Sequence, residues 1–483
     1  PLFDQSVGRP VPYYCYMLEC ANGRYYTGWS TDPFRRLKQH NAGLGAKYTR
    51  MNGPSKLVYV EEMPDHSSAL KREIRIKQLP RPKKQALVSD LSLNKLPELL
   101  ANLQNKVVNT RSFIIKSPAR VNLLGEHVDY NGGVVLPAAI DRYVSLQVDV
   151  LDEPVVRLQA DDLKATVSFS LENLAEKKDN QGQPLPSFAL YPAGVAWALQ
   201  QAGLPVRGLA VKYSSDIPIG AGLSSSAAVE VGFALAWQTA GGWDIPRLEL
   251  AKLCQKAEND YVGVKSGLMD QFACALGVAG HALALDTRSL AWHTLPLPQD
   301  AAIVIADSGV RRSLADSTYN SLRADCQEAV ERLRTWCCSL TSLRDVTPQF
   351  LLTHLNELPE RVAKRALHVV GEMTRVEQAV GCLAEGDSAG FGALMLTTHT
   401  SLRDLYGVSC PELDLLVELA ASHSACFGAR LTGAGFGGCT VNLVRKDGLD
   451  GFVNFLKAAY LEKSGRDTPI EVCQAVDGAH LVI

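Results

Sequence analysis

The sequence predicts two successive α/β (α+β) parts, and three observations support this fold class. Strand-like runs alternate with amphipathic stretches along all 483 residues, and no repeat of fixed period is present. A chain of this length is expected to form more than one domain. Residues 1–90 carry 15 Lys and Arg against 8 Asp and Glu, whereas the other 393 residues carry 34 against 43. The net charges of +7 and −9 therefore indicate a basic head joined to a mildly acidic body.

The composition excludes several protein classes. With 46 % hydrophobic and 21 % charged residues, the chain is typical of a globular protein rather than a disordered or collagen-like one. No apolar run approaches the roughly 18 residues that span a bilayer, and residues 1–11 lack the pattern of a secretory signal. We therefore expect no membrane contact and a cytoplasmic location. The twelve cysteines include no Cys-x-x-Cys pair, and we expect them to be reduced.

The head, predicted as a domain over residues 1–90, begins with a β-hairpin, because two strand-like runs flank an Asn22-Gly23 turn. The expected elements are strands over Tyr13–Cys20 and Tyr25–Trp29, a helix from Pro33 capped by Thr31 or Asp32, a strand over Leu57–Glu61 and a helix from Ser67. Regularly spaced leucines follow and predict an amphipathic helix. We expect residues 91–110 to be a helical linker.

The body mixes strands with longer helices. The expected strands cover Tyr143–Val150, Leu209–Tyr213, Ala301–Ala306 and Cys439–Val444, and the expected helices cover Ala227–Thr239, Leu248–Asp260 and Asp325–Trp336. Its most informative motif is Pro218-Ile-Gly-Ala-Gly-Leu-Ser-Ser-Ser-Ala-Ala228, which follows a strand and opens an apolar helix.

This glycine- and serine-rich loop is suited to binding phosphate. Glycine lets the backbone approach a phosphate group, and the N–H groups at a helix N-terminus favour negative charge. No Gly-x-x-x-x-Gly-Lys-[Ser/Thr] sequence is present, so the loop is not the common P-loop. Taken alone, it is also compatible with a flexible loop before a core helix.

Two further motifs accompany the loop. The first, at residues 117–133, gathers ionisable and amide groups at a density that suits a polyhydroxylated ligand. The second is Leu431-Thr-Gly-Ala-Gly-Phe-Gly-Gly-Cys439, a glycine-rich turn that can pack close to the phosphate loop. With these three motifs in this order, residues 110–483 resemble the galactokinase family, of the superfamily that includes homoserine and mevalonate kinases. The resemblance implies a two-lobed GHMP-kinase fold, with lobes at 111–300 and 301–483 and with ATP and galactose bound in the cleft.

The resemblance also implies residue roles. Asp270 matches the base that accepts the proton of the anomeric hydroxyl, and Arg120 matches the arginine that orients this base and stabilises phosphoryl charge. Ser225 and Glu258 match ligands of Mg²⁺, an ion that prefers few protein oxygens plus phosphates. Sugar contacts are assigned to Glu126, His127, Asp129, Gly267 and Tyr319, and ATP contacts to Gly220, Gly222, Ser224, Ser225 and Ser226.

These residues also have purely structural interpretations. Asp270 could cap a helix, Arg120 could form a surface ion pair, and Glu258 could be a solvated helix carboxylate. Ala119 and Val128 depart from the Gly and Thr of many family members. These departures leave N-acetylgalactosamine open as an alternative sugar.

The head contains Tyr14-Cys-Tyr16 and, ten residues after Tyr16, Tyr26-Thr-Gly28. These tripeptides alone are common in hairpins, but Arg36, His40, Ala46-Lys47 and Glu73 follow in matching order. With all of these features, residues 12–88 resemble the GIY-YIG nuclease superfamily. The resemblance implies that Glu73 binds one divalent metal, that Arg36 contacts the scissile phosphate, and that Tyr16 and Tyr26 position or activate water. The late asparagine of several members is not evident.

The head also has a structural interpretation. An i, i+4 pair between Glu73 and Lys77, worth roughly 0.3–0.5 kcal/mol, is compatible with an inactive nuclease. The helix predicted from Ser67, together with the residues that follow it, carries a series of basic side chains. These side chains would contact the phosphates of a DNA backbone or form a solvated face. These residues are Lys71, Arg72, Arg75, Lys77, Arg81, Lys83 and Lys84.

The sequence thus predicts a bifunctional protein, in which an ATP-dependent galactokinase that makes α-D-galactose 1-phosphate follows a metal-dependent GIY-YIG endonuclease that acts on DNA. The alternative is a sugar-responsive regulator whose head binds DNA without cutting it. The intact serine loop, with Arg120 and Asp270, argues against a body that only senses sugar. The complete set of nuclease-site residues argues more weakly against a head that only binds DNA; these residues are Tyr16, Tyr26, Arg36 and Glu73.

Overall fold

The structure is a computed structural model that describes residues 13–41, 46–90, 92–97, 111–218, 220–311 and 316–482. The chain divides into two compact units, Pro1–Asn109 and Thr110–Ile483. This division falls inside the predicted linker.

In the first unit, helices pack against an antiparallel sheet. Its elements are β1 (Tyr13–Cys20), β2 (Tyr25–Ser30), α1 (Pro33–Asn41), α2 (Lys47–Met51), β3 (Ser55–Met63), α3 (His66–Gln78) and α4 (Arg81–Ser89). Strand β1 lies between β2 and β3. The predicted hairpin is confirmed, and Gly23 in its turn has a φ of 71°. Of the two predicted caps of α1, Asp32 accepts a hydrogen bond from the N–H of Arg35 at 2.9 Å.

The chain beyond α4 packs against the same sheet. Asn94 is buried, accepts the N–H of Val60 at 3.1 Å and donates to a carbonyl of β3 and one of α4, each at 3.0 Å. Leu96 is buried in the apolar core of this unit. The predicted linker, 91–110, therefore begins as a packed segment, and most of its predicted helix lies outside the described residues.

The second unit is larger and alternates strands with helices. Its first elements are β4 (Ser112–Asn122), β5 (Val134–Val135), β6 (Pro137–Leu151), β7 (Val155–Ala160), β8 (Ala165–Ser170), α5 (Ser187–Gln201), β9 (Gly208–Ser215), α6 (Ser225–Gly241), α7 (Arg247–Lys256), α8 (Met269–Leu276), β10 (His281–Asp286) and β11 (Trp292–Pro296). Then follow β12 (Ala301–Asp307), α9 (Asp316–Leu333), α10 (Pro348–Thr353), α11 (Glu360–Glu385), α12 (Ser388–Ser401), α13 (Pro411–Ser422), β13 (Cys426–Thr432), β14 (Cys439–Arg445), α14 (Leu449–Ser464), β15 (Ile470–Cys473) and β16 (His480–Val482).

Two main sheets organise this unit. One has the strand order β16-β4-β6-β9-β7-β8, and the other has the order β13-β14-β12-β15. Strand β16 pairs with β4, so the last described strand joins the sheet of the predicted first lobe. The lobe boundary at residue 300 stays a prediction. Helix α6 is buried on nearly all sides, which explains its apolar sequence.

The four strands and three helices predicted for the body each overlap an observed element, and two helix limits differ. The helix predicted over Leu248–Asp260 ends at Lys256, where a π-helical turn, Ala257–Val262, begins. Such a turn widens the helix locally, and apolar periodicity does not reveal it. The helix predicted over Asp325–Trp336 is α9, which begins nine residues earlier and ends at Leu333.

Two expectations from composition can be compared with this fold. Across the described residues, no helix is both long and apolar enough to cross a membrane. All twelve cysteines are described, and all are free thiols.

Candidate functional site

The two glycine-rich loops of the second unit pack directly against each other. A Cβ atom on Gly222 would lie 2.9 Å from the carbonyl oxygen of Thr432, and one on Gly433 would lie 2.6 Å from the carbonyl oxygen of Gly222. Both glycines have φ near 80°, in the left-handed region that glycine adopts without strain. The close packing predicted from the sequence is confirmed, and no side chain fits at either position.

Helix α6 begins inside the first loop. Ser224 stands at its N-cap position with a φ of 60° and makes no side-chain capping hydrogen bond. Ser225 and Ser226 form the first turn, where backbone N–H groups lack helical acceptors. The three serines, with Gly220 and Gly222, line a cavity of about 220 Å³. A helix N-terminus in this position favours bound phosphate.

Asp270 lies in the first turn of α8, on the wall of this cavity. Arg120, near the end of β4, donates from Nε and Nη2 to Oδ1 of Asp270 at 2.9 and 2.7 Å. Its Nη1 donates to the carbonyl oxygen of Gly222 at 2.6 Å, and the hydroxyl of Ser224 donates to Oδ2 of Asp270. Burial alone would lower the pKa of Arg120, but the charges of Asp270 and Glu126 raise it above its ordinary value. Arg120 is therefore a fixed cation, and Asp270 keeps 27 % of its side chain exposed to the cavity.

Asp129 reaches the cavity from the short helical turn Asp129–Asn131. A Cβ atom on Gly267 would lie 1.8 Å from Oδ2 of Asp129, so only glycine leaves room for this carboxyl. Burial, followed by the charge of Asp270, raises the pKa of Asp129 to about 7. At neutral pH, Asp129 can thus donate or accept a hydrogen bond.

Glu126 and His127 line the same cavity, but one carboxylate oxygen of Glu126 has protein partners. Its Oε1 accepts hydrogen bonds from the buried guanidinium of Arg430 and from the N–H of Gly433 at 2.8 Å. Nδ1 of His127 lies 3.0 Å from the hydroxyl of Tyr130, and burial lowers the pKa of His127 to about 3. The imidazole is therefore neutral at physiological pH.

Glu258, predicted to bind Mg²⁺, lies on the π-helical turn and is 6 % exposed. It accepts hydrogen bonds from the hydroxyl of Ser266 and from Nε2 of Gln271, the latter at 2.9 Å. The same Nε2 donates to Glu230 at 2.8 Å, and burial raises the pKa of both carboxyls. Ser225 lines the cavity beside Glu258. One carboxylate and one hydroxyl at a phosphate-binding helix terminus fit an ion whose other ligands are phosphate oxygens.

Several residues near this cavity were not identified from the sequence, although each lies beside a predicted one. Ser266 precedes Gly267, Gln271 follows Asp270, and Arg430 precedes the second glycine motif. Tyr319 belongs to α9, but its side chain lies outside the described part of the structure; its neighbour Asn320 lines the cavity. These additions are Ser266, Gln271, Asn320, Arg430 and Gly433.

The larger open groove of the second unit, of about 730 Å³, lies on the six-stranded sheet and contains none of the motif residues. Its basic side chains already have acidic partners, since Arg157 pairs with Glu153 and Lys212 with Asp161. The smaller cavity, which the motif residues line, is therefore the candidate functional site of this unit.

In the first unit, the residues predicted for a nuclease site also cluster. The hydroxyl of Tyr16 lies 3.0 Å from Nε2 of His40, and the rings of Tyr26 and His40 are 4.8 Å apart. Gly28 is paired with Tyr16 across the hairpin, and a Cβ atom on it would lie 2.7 Å from the Tyr16 hydroxyl. The glycine of the second tripeptide is thus required by the tyrosine of the first.

Hydrogen bonds hold the His40 ring in place. Its Nδ1 lies 2.6 Å from the hydroxyl oxygen of Thr49 and 3.3 Å from the backbone nitrogen of Ala46, and its Nε2 faces the hydroxyl of Tyr16. Burial, and then the charge of Arg36, lowers the pKa of His40 to about 4. Burial raises the pKa of Tyr16 to about 12. Both groups are therefore neutral at physiological pH.

Glu73 supplies the carboxylate of this cluster. It is 8 % exposed on α3 and accepts a hydrogen bond from Lys77 at 2.5 Å, which is the i, i+4 pair of the structural interpretation. Helix α3 packs against β1 and β2, the strands that carry Tyr16 and Tyr26. Burial raises the pKa of both tyrosines, and the charge of Glu73 adds to this rise. Arg36 donates to Gln39 at 2.6 Å, and its charge partly offsets the rise in the pKa of Tyr16 that burial causes.

Comparison with known proteins agrees with both units. Matches to family models cover residues 12–86 (GIY-YIG catalytic domain), 105–149 (galactokinase galactose-binding signature), 191–278 (GHMP kinases N terminal domain) and 379–462 (GHMP kinases C terminal). The galactokinase of Roseiflexus sp. (strain RS-1) is 44 % identical over 370 residues, covering 77 % of this chain and 93 % of that protein. The galactokinase of Chloroflexus aurantiacus is 42 % identical over 369 residues, covering 76 % and 93 %.

Solved structures show the same relationship. The crystal structure of Lactococcus lactis galactokinase complexed with galactose matches with a TM-score of 0.72 and 34 % identity, over 79 % of this chain and 99 % of that one. The mevalonate kinase of Methanococcus jannaschii matches at 20 % identity with a TM-score of 0.56, over 76 % of this chain and 100 % of that one, and shares the fold.

The fold and the phosphate loop define the second unit as a GHMP kinase, and the first unit is a GIY-YIG domain. Within this class, the galactokinases described above align with the chain over nearly their whole length. The chain belongs to the galactokinase family. The fold class and both resemblances predicted from the sequence are confirmed, and these findings give no support to the sugar-responsive regulator.

Proposed function

We propose that the second unit transfers the γ-phosphoryl group of ATP to the anomeric hydroxyl of galactose, giving α-D-galactose 1-phosphate. The observation that carries this proposal is the Arg120–Asp270 pair, which lines the same cavity as the serine-rich N-terminus of α6. Phosphoryl transfer needs positioning and charge stabilisation more than covalent chemistry, and these residues can supply both.

Asp270 acts as the general base in this proposal. As the anomeric oxygen bonds to the γ-phosphorus, the bond from that phosphorus to the β–γ bridging oxygen breaks and ADP leaves. The hydroxyl proton passes to Oδ2 of Asp270, the oxygen that Arg120 does not hold. Arg120 keeps the base oriented and offsets the charge that develops on the phosphoryl oxygens.

Ser225 and Glu258 would hold Mg²⁺, which offsets negative charge on the phosphates of ATP. The surrounding residues keep this carboxylate in place, because Ser266 and Gln271 both donate to it. We expect Glu258→Gln to need about tenfold more Mg²⁺ for half-maximal activity. Binding of Mn²⁺ with a non-hydrolysable ATP analogue, followed by electron paramagnetic resonance, should weaken in parallel.

Sugar choice would be set by Asp129, His127 and Gly267. These residues place hydrogen-bonding groups around the cavity in fixed orientations. Inverting one sugar hydroxyl would leave a buried polar group unpaired, at a cost of about 1–3 kcal/mol, so glucose should be about 5- to 150-fold poorer than galactose. Tyr319 is retained as a further proposed sugar contact.

A coupled assay of ADP release tests this function in the full-length chain. Galactose should support turnover well above the rate without sugar, and kcat/KM for glucose should be about 5- to 150-fold lower than for galactose. Equal kcat/KM values for galactose and glucose would contradict the proposal, and a preference for N-acetylgalactosamine would reassign the sugar. Free cysteines and the use of ATP support a cytoplasmic location for this activity.

We propose, independently, that the first unit cleaves DNA with a divalent metal held by Glu73. The observation that favours it is the cluster of Tyr16, Tyr26 and His40, together with the buried carboxylate of Glu73 on α3, the helix that packs against the strands of both tyrosines. The metal would be completed by water and substrate oxygens and would polarise the phosphate. The exposed basic residues of α3 and α4 would contact the DNA backbone.

Cleavage of duplex, single-stranded and branched DNA by the full-length chain, with Mg²⁺ or Mn²⁺, tests this activity. Glu73→Gln should abolish cleavage but retain salt-sensitive DNA binding, because the basic side chains remain. Glu62→Gln, at an exposed carboxylate of the same unit, is the matched control and should leave cleavage unchanged. Binding without any cleavage by the wild type would favour a domain that only binds DNA. If the wild type neither binds nor cleaves DNA, the basic face is only a solvated surface.

A further inference from the structure

A buried carboxylate on α11 holds the backbone next to the sugar-facing residues. Glu372 has no exposed surface, and its Oε1 accepts the N–H of Gly125 at 2.8 Å. Its Oε2 accepts hydrogen bonds from the hydroxyl of Thr398 and from Nε of Arg375, both at 2.8 Å. All three bonds have good geometry for a charged acceptor. Glu372 thus connects two helices to one backbone N–H group of a distant loop.

His368 provides a second attachment one helical turn earlier. Its ring is fully buried, with Nδ1 2.8 Å from the hydroxyl of Ser401 and Nε2 3.3 Å from the carbonyl oxygen of Glu126. His368 and Glu372 are spaced i, i+4, so they lie on one face of α11. Together they bond the N–H of Gly125 and the carbonyl of Glu126, which are adjacent residues of the loop.

This loop has an unusual backbone that needs external support. Gly125 has a φ of 95°, and His127, which is not a glycine, has a φ of 61°. Such conformations persist where the surroundings over-determine them. The loop sets the positions of His127 and Asp129, which both line the cavity. A shift of Gly125 would therefore move the groups that face the sugar and not those that face ATP.

Keeping the buried Glu372 carboxylate ionised costs free energy, and filling space in the core does not require a charged side chain. Burial by itself would raise its pKa, but Arg375 and other nearby charges outweigh burial and lower it. A buried ion pair contributes little net stability compared with apolar residues of similar volume. Orientation of the loop is a function that a buried apolar side chain could not perform, because it could not accept the N–H of Gly125.

We propose that Glu372 is a positioning residue for the sugar site, acting through the backbone of Gly125 and Glu126. This inference rests on the proposed function, since it takes galactose as the substrate. Replacing Glu372 by Gln keeps the shape of the side chain but faces an amide nitrogen toward two donors, Thr398 and Arg375. The side chain must then rotate or shift, and the bond to Gly125 weakens.

The experiment measures KM for galactose and for ATP separately in the full-length Glu372→Gln variant. The KM for galactose should rise by about tenfold or more, the loss expected for a buried hydrogen bond to a charged group, and the KM for ATP should stay within about twofold. The rise in Tm that saturating galactose produces should shrink, whereas the rise produced by an ATP analogue should persist. Glu377→Gln changes an exposed carboxylate of the same helix and should match the wild type.

A second variant keeps the test decisive if Glu372→Gln fails to fold. Thr398→Val removes one donor to Oε2 and leaves the bond to Gly125, so KM for galactose should rise by about two- to fivefold, with KM for ATP unchanged. Unchanged galactose KM in whichever variant folds, or equal rises in both KM values, would overturn the inference. If the wild type does not phosphorylate galactose at all, the proposed function fails first, and that outcome is visible before any variant is made.

Discussion

Two nitrogens of Arg120, Nε and Nη2, donate to the same oxygen of Asp270, at 2.9 and 2.7 Å, although the residues are 150 positions apart in the sequence. The second oxygen of Asp270, Oδ2, accepts a hydrogen bond from the hydroxyl of Ser224 at the cavity wall and has a further lone pair that can take a proton. One side of the carboxylate is thus fixed and the other side can accept a proton.

Gly267→Ala should weaken sugar binding specifically. The new Cβ would lie 1.8 Å from Oδ2 of Asp129, so this carboxyl must move away from the cavity. We expect KM for galactose to rise by about tenfold or more, because at least one buried hydrogen bond is lost. Steady-state kinetics with each substrate varied in turn measure the effect.

Gly381→Ala is the matched control for that substitution. Gly381 lies in α11 with nothing within 4 Å of its would-be Cβ. This variant should keep normal kinetics and gain about 0.5–1 kcal/mol of stability, as alanine does in a helix. An unchanged galactose KM in Gly267→Ala would show that Asp129 does not contribute to sugar binding.

Asp129→Asn should stabilise the ligand-free protein in a pH-dependent way. The pKa of Asp129 is raised from 3.8 to about 7, so between these values the unfolded chain is ionised while the folded chain keeps its proton. Ionisation therefore lowers stability progressively as the pH rises through this window, and by a constant amount above it. The Tm advantage of Asp129→Asn should grow from about pH 4 to about pH 7 and then level off. Asp244→Asn, at an exposed carboxylate, is the control, and a constant Tm difference for Asp129→Asn would refute the shift.

Tyr16→Phe should impair DNA cleavage without unfolding the first unit. The substitution removes the hydroxyl that meets Nε2 of His40 and keeps the buried ring. We expect cleavage to fall by about 100-fold, within the range found for general acid–base groups. Tyr25→Phe changes the neighbouring tyrosine of the same hairpin and should have little effect. Equal activity in the two variants would remove Tyr16 from the proposed site.

Local sequence patterns predicted much of the fold. The Asn22-Gly23 turn and the strand-like runs beside it predicted the hairpin, because turn chemistry and alternation act over a few residues. The apolar run after the serine loop predicted α6 for the same reason. The π-helical turn at Ala257–Val262 was not predicted, because widening of one helical turn leaves the apolar pattern unchanged.

The candidate site was harder to predict from the sequence, because its contacts join residues that are distant along the chain. Glu126 was predicted from its motif as a sugar contact, but its Oε1 bonds to Arg430, 304 residues away. Glu372 was not identified at all, since a glutamate in an amphipathic helix usually faces solvent and no motif surrounds it. The assignment of Asp270 and Arg120 came from family resemblance, and the structure brings the two together.

The role of Asp270 as the general base is best tested by the turnover number of Asp270→Asn with galactose and ATP. This variant keeps the size of the side chain and removes its ability to accept the hydroxyl proton, whereas Asp244→Asn, at an exposed aspartate of the same unit, serves as the control. We predict that kcat falls by about 100- to 10,000-fold, with KM for ATP and the Tm close to those of the wild type. A kcat within a few-fold of the wild-type value would show that Asp270 is not the general base, because phosphoryl transfer would then proceed without it.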